Sequence, residues 1–255
     1  MSRAPIAGRG YGRLIRMRIR EIVLATLGLV SASWLYCTEA SAQTVPAIAP
    51  RDETWGTVSH VSLGVGAGTV FLMPRVYYSD PESTVGWKGR WHFSMFAPAM
   101  TMAAATFLVD GPIRNALQYP RPGCTVDQTL VANTDSGCET FGGPSTHAFA
   151  SWGATGVGTG IFLVDTIKFS KGRFNAGSFI GNIGVPLIAS VLTSVGRGVE
   201  SGATDEFGTA ALPYETSNQI IAGTFAGFFS GLLVGGAYAL LQRPSCGYGN
   251  AIFCW

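Results

Sequence analysis

Charge is what this sequence has least of. Asp, Glu, Lys and Arg make up 13% of its 255 residues, about half the share of an average soluble domain. With 34 glycines and a positive mean hydropathy, the chain reads as a membrane protein rather than a soluble enzyme. An excess of one sign is missing as well. The formal charge is +2, but residues 1–42 hold six of the 17 basic residues (Arg3, Arg9, Arg13, Arg16, Arg18, Arg20) and two of the 15 acids (Glu21, Glu39), leaving 11 against 13 beyond them. That slightly acidic remainder offers nucleic acid no electrostatic footing, so no nucleic-acid partner is expected. The five cysteines show no zinc spacing, and no metal or cofactor site is expected. Cys37 lies near the N-terminus and Cys246 and Cys254 near the C-terminus. Cys124 and Cys138 share one loop and are expected to pair if that loop is extracytoplasmic, free thiols being the alternative; closing a loop of that size is worth roughly 3 kcal/mol. Histidine is as scarce as lysine, at three each: His60, His92 and His147, with none after His147.

What is present begins with a basic leader, an apolar run over 22–36 and Ala40-Ser41-Ala42 before Gln43. This is the layout of a secretory signal, for which Met17 would be the more ordinary start; an uncleaved first membrane span is the rival reading. The domain reading is therefore a signal peptide or anchor over 1–42, a proline-bearing linker over 43–56, a membrane domain over 57–242 and a tail over 243–255. Within the membrane domain, apolar stretches cover about 58–73, 91–109, 148–164, 176–195 and 219–241, several near the length of a bilayer span. The first and third are short and glycine-rich, which leaves a membrane-associated soluble bundle as the alternative.

Gly223, Gly227, Gly231 and Gly235 recur every four residues, and Gly153, Gly156 and Gly160 nearly so. Small residues at that spacing let helices approach closely in lipid. Lys168, Lys171 and Arg173 lie between the third and fourth stretches, and Arg75, Lys88 and Arg90 between the first and second. Acids (Glu200, Asp205, Glu206, Glu215) lie between the fourth and last. Basic loops stay in the cytoplasm, so the stretches holding Arg114 to Ser145 and Arg197 to Asn218 are expected outside together.

Those two loops hold the chemistry. Phe141-Gly-Gly-Pro-Ser-Thr-His-Ala-Phe149 breaks the chain at Gly-Gly-Pro and opens an apolar run with Ser145, Thr146 and His147. A helix starting there presents unpaired N–H groups and the positive end of its dipole to an anion, with His147 placed to move a proton. The plainer reading is that Ser145 or Thr146 caps the helix and His147 is a core residue. Upstream, Arg114 and Arg121 stand seven residues apart with Pro122 following; guanidinium groups take phosphate oxygens bidentately and stay charged. Taken together, R-x6-R-P and P-S-T-H resemble the first two motifs, K-x6-R-P and P-S-G-H, of the type 2 phosphatidic acid phosphatase and haloperoxidase superfamily.

The resemblance covers about 58–241 and implies an all-α, polytopic membrane helical bundle of five to six spans with a metal-free phosphate site. The family's third motif, S-R-x5-H-x3-D, supplies a nucleophilic histidine and an orienting aspartate, and here the sequence departs. One register from Gly196-Arg197 puts Ala203 and Phe207 at those positions; another, anchored on the last stretch, puts Tyr214 and Asn218 there. Tyrosine can serve as a phosphoryl nucleophile only in a cationic site. The resemblance makes Arg114, Arg121, Arg197, Ser145 and Thr146 phosphate-binding and His147 catalytic, with Tyr214 and Asn218 as substitutes in the third motif. His60, starting an outer-side stretch, is the one other histidine able to approach; His92 is expected on the inner side beside Trp91, and Asp110 as a helix-end charge or partner of an arginine. The expected function is binding, and hydrolysis if the site is active, of a lipid phosphate or polyprenyl diphosphate at the outer face of the cytoplasmic membrane. The alternative is a degenerate phosphate binder serving envelope or polysaccharide assembly.

Overall fold

The computed structural model describes residues 51–79, 86–131, 138–199 and 211–245. The expected leader, most of the linker, Ala203, Phe207, the acids at 200, 205 and 206, and the C-terminal cysteines lie outside the described residues. Each apolar stretch is a helix: α1 (Glu53–Leu72), α2 (Phe93–Leu117), α4 (Thr146–Val164), α5 (Ala176–Gly198) and α6 (Ser217–Leu241). A short α3 (Val126–Leu130) interrupts the loop after α2. The basic stretch after α1 is not a plain loop: Arg75–Tyr78 (β1) and Trp87–Arg90 (β2) pair antiparallel, Arg75 opposite Arg90. Aromatic and β-branched residues in Arg75-Val-Tyr-Tyr favour that extended form.

Among the described residues, three helices are long and apolar enough to cross a membrane: α2, α5 and α6. They carry exposed apolar side chains such as Phe107, Ile188, Val191, Ile221 and Phe225, which a bilayer would cover. α4 sits at the centre, packed on α1, α2, α5 and most extensively α6. Its composition follows from that position. Gly156 and Gly160 face α6, and on α6 Gly223, Gly227, Gly231 and Gly235 lie in turn against the carbonyls of Ser145, Phe149, Gly153 and Val157; a Cβ at any of them would overlap that backbone. The four-residue spacing is thus a close helix-to-helix seam. Around it Val70, Met95, Met102, Val109, Phe149, Val157 and Ile161 form the core.

Hydrogen bonds through side-chain hydroxyls join α4 to α5 and α5 to α1. Thr155 Oγ1 is 2.9 Å from Ser190 Oγ, Trp152 Nε1 donates to Ser194 Oγ at 3.0 Å, and Thr193 Oγ1 reaches the Ser59 carbonyl at 3.4 Å. α2 widens into a π turn at Val109–Ile113, where Pro112 lacks the N–H an α-turn would use. At the end of the bundle where α1, α4 and α6 finish, Arg75 is buried on Asp165, donating Nε to Oδ2 at 2.9 Å and Nη1 to the Gln242 carbonyl. His92 is buried there too, 3.0 Å from the Pro244 carbonyl.

Candidate functional site

The opposite end, where α1, α4 and α6 begin, gathers all three sequence segments. Ser145 is the N-cap of α4, its hydroxyl accepting from Ala148 N at 3.1 Å, and its own N–H donates to the Gln219 carbonyl at 2.9 Å. This ties the start of α4 to the start of α6. Thr216 and Gln219 form a capping box on α6, and Gln219 Nε2 donates to the Pro120 carbonyl at 2.8 Å, so α6 also holds the Arg121 loop. Cys124 and Cys138 are bonded, their Cα atoms 5.7 Å apart, closing that loop.

Arg114 is buried and fully engaged at its tips: Nη1 pairs with Asp110 and donates to Thr146 Oγ1 at 3.0 Å, and Nη2 donates to the Phe141 carbonyl. Thr146 Oγ1 in turn donates to Asp110 Oδ1 at 2.8 Å. Asp110 is therefore the arginine's partner. The expected phosphate-binding residues Arg114, Ser145 and Thr146 brace the N-terminus of α4, which leaves other groups open to a ligand.

Arg121 is one of these. It donates to the Thr140 carbonyl and hydroxyl at 3.0–3.2 Å and is in no salt bridge among the described residues. Burial, then the nearby guanidiniums of Arg114, Arg197 and Arg51, against Glu215, pull its pKa down to about 10. That crowding of cations marks a place where an anion is favoured. Arg197, at the last turn of α5, is buried with its Nη2 3.3 Å from Glu215 Oε1, while its guanidinium carbon lies 4.3 Å from the centre of the Tyr214 ring. Its Nε and Glu215 Oε2 have no hydrogen-bond partner among the described residues.

His147, on the first turn of α4, is held neutral. Burial, Arg197, His60 and Arg121 lower its pKa to about 4, with Glu215 opposing. His60 of α1 stacks on it, ring centroids 4.8 Å apart and planes 30° from parallel. α1 is brought there because Gly196 admits the Trp55 carbonyl and Gly56 admits the Tyr214 hydroxyl; a Cβ on Gly196 would stand 2.7 Å from Trp55 O and one on Gly56 2.6 Å from Tyr214 Oη. Tyr214 thus reaches the site on the face of Arg197, whereas Asn218 is exposed on the first turn of α6.

Sequence reasoning misses three residues here. Arg51, assigned to a linker, bridges the site's edges, donating Nη2 to the Pro122 carbonyl at 2.9 Å and Nη1 to that of Pro213. Glu215 is the buried counter-charge of Arg197, and Gln219 is the clasp between loops. Only Gln219 left a readable sign, the Thr-x-x-Gln capping pattern. Comparison with known protein families, curated proteins and solved structures finds no match for this chain.

Proposed function

We propose that the chain is a membrane phosphatase-like protein that binds the phosphate of a lipid phosphate or polyprenyl diphosphate and hydrolyses it slowly. The observation that carries this reading is the convergence, on one end of the bundle, of Arg121, Arg197 and His147 from three separate sequence segments. The cations neutralise phosphate oxygens, and the N-terminus of α4 adds its dipole. Burial and the guanidiniums hold His147 neutral, but a phosphate dianion beside it offsets the guanidiniums and raises its proton affinity. So charged, His147 can protonate the leaving oxygen. Arg114 and Thr146 act by holding the helix start in place.

Facing the site to the extracytoplasmic side is supported by two features of the described structure. Lys168, Lys171, Arg173 and the hairpin's Arg75, Lys88 and Arg90 gather at the other end of the bundle, where basic residues remain cytoplasmic. The Cys124–Cys138 bond lies at the site end, suited to an oxidising compartment. A polytopic type 2 phosphatidic acid phosphatase arrangement of five to six spans is part of the same proposal.

The second reading, a binder without hydrolysis, is favoured by one specific observation: beyond Arg197 the site receives Tyr214 and Glu215, not a histidine. The two readings part in one experiment, phosphate release by purified protein from a panel of lipid phosphates and polyprenyl diphosphates, alongside binding of the same ligands. Slow release that is lost in His147→Ala and Arg121→Ala supports the phosphatase. Binding without release supports the binder, and neither binding nor release refutes both.

A further inference from the structure

The stack of His60 on His147 is unexplained by the anion site as described so far. Stacking engages the faces of the imidazoles, not their nitrogen-bearing edges, and the cations Arg197 and Arg121 act on His147. His60 is exposed and His147 half-buried, so the pair runs from solvent toward the cations that act on His147. Its position is set by helix packing, since α1 is pinned to α5 through Thr193 and the Ser59 carbonyl and fitted to Gly196. Among the described residues, no other histidine comes near, His92 being buried at the far end.

We propose that His60 is a ligand-binding residue of this site: the two stacked imidazoles close together on a terminal phosphate, and one proton enters the pair as the phosphate binds. This rests on the phosphate-site reading and deepens it. The charges facing the pair decide the stoichiometry. From α5 comes Arg197, balanced by Glu215 of the segment before α6; from α2 come Arg114 and Asp110, which balance each other; from the loop after α2 comes Arg121, with no carboxylate in contact among the described residues. Tyr214 lies on Arg197, and Arg51 stands behind, acting on Arg121 and Arg197. Burial first, then Arg197, His60 and Arg121, keep His147 neutral, and two imidazolium rings in contact beside these guanidiniums would repel one another. A phosphomonoester brings up to two negative charges, more than Arg121 alone neutralises, and the nearest groups able to gain a proton are the stacked rings. The proton comes from solvent and stays as an N–H bonded to a phosphate oxygen; no covalent bond is made or broken. A phosphodiester brings one charge and draws in less than a full proton.

The test is titration calorimetry of the purified full-length protein with hexyl phosphate and with methyl hexyl phosphate, in buffers of differing ionisation enthalpy. The expected result is uptake of about one proton with the monoester at pH 7.5, less with the diester, and monoester affinity falling up to about tenfold per pH unit above neutrality. His60→Gln, on an exposed position that should leave the fold intact, is expected to weaken the monoester at least several-fold and to reduce proton uptake. His147→Asn should do the same, and the unfolding temperature of each variant checks the fold. Unchanged affinity and proton count in His60→Gln, or monoester binding by wild type without proton uptake, overturns the role of His60 while the phosphate site stands. Absence of any monoester binding, equally in wild type and Arg121→Ala, overturns the phosphate site and this inference with it.

Discussion

The buried pair of Arg197 and Glu215 offers the sharpest test of how the site is held. Their side chains are 4% and 1% exposed and 3.3 Å apart, so each charge depends on the other in place of water. Replacing Arg197 by Ala leaves a carboxylate in a dry pocket, and breaking a buried pair from one side costs about 3–5 kcal/mol. The Tyr214 ring on the guanidinium adds roughly 1 kcal/mol that is lost too. For a domain of this size the combined loss lowers Tm by roughly 8–24 °C. Removing both charges is different: Arg197→Met with Glu215→Leu fills similar volume and leaves nothing unpaired, so stability should return to within about 1–2 kcal/mol of wild type. Thermal unfolding of the purified protein in one detergent compares the three. The double variant should bind no phosphate despite its recovered stability, because the site's central guanidinium is gone. If Arg197→Ala unfolds at the wild-type temperature, or the double variant is no more stable than the single one, the pair is not dry and the reasoning fails.

Two further outcomes follow from packing and burial. Gly231→Ala puts a methyl into the Gly153 carbonyl and should destabilise by about 1–3 kcal/mol, whereas Gly236→Ala on the same helix meets open space and should stabilise by up to about 1 kcal/mol; equal effects in thermal unfolding would contradict the seam. His147 titrates at about 4 in the folded protein against about 6.5 in an unfolded chain. Between those values the unfolded chain binds more protons, so stability is present in full above about pH 6.5 and is lost as pH falls toward 4, by at most about 3 kcal/mol. His147→Asn should flatten that part of the stability–pH curve, and a variant curve superimposing on wild type would show that the burial of His147 is not felt.

The parts of this fold that could be read from the sequence are those set by short-range periodicity. Apolar runs of bilayer length mark α2, α5 and α6, and glycines at four-residue spacing on α6 mark a face that meets another helix as closely as backbones allow. Cys124 and Cys138 share a loop, and Ser145 follows a Gly-Gly-Pro break as a cap should. What could not be read depends on which distant segments meet. Nothing local in α1 says that His60 will lie on His147, because that contact is decided by Gly196 and Thr193 on α5. The same holds for Arg51 and the Pro213 carbonyl, 162 residues apart, and for Arg75 and Asp165, 90 apart. The roles of the arginines were not separable either. Arg114 and Arg121 look alike as letters, but one is consumed by Asp110, Thr146 and Phe141 while the other, among the described residues, bonds only to Thr140.

The seam and the site are one construction. Gly223, the first of the four α6 glycines, lies against the carbonyl of Ser145, the residue that caps α4 and receives the Gln219 carbonyl at its N–H. The depth at which α6 settles on α4 therefore sets where Gln219 stands, and through it the Pro120 carbonyl and the Arg121 loop. On the other side of α4, Gly196 lets α1 approach α5 until His60 reaches His147. A methyl inserted at Gly231, two turns below the site, parts the helices before it touches any ligand group. Close packing is not elastic over such distances, so the displacement should reach Gln219 and loosen Arg121. Phosphate affinity in Gly231→Ala is then expected to fall along with stability, while Gly236→Ala keeps both.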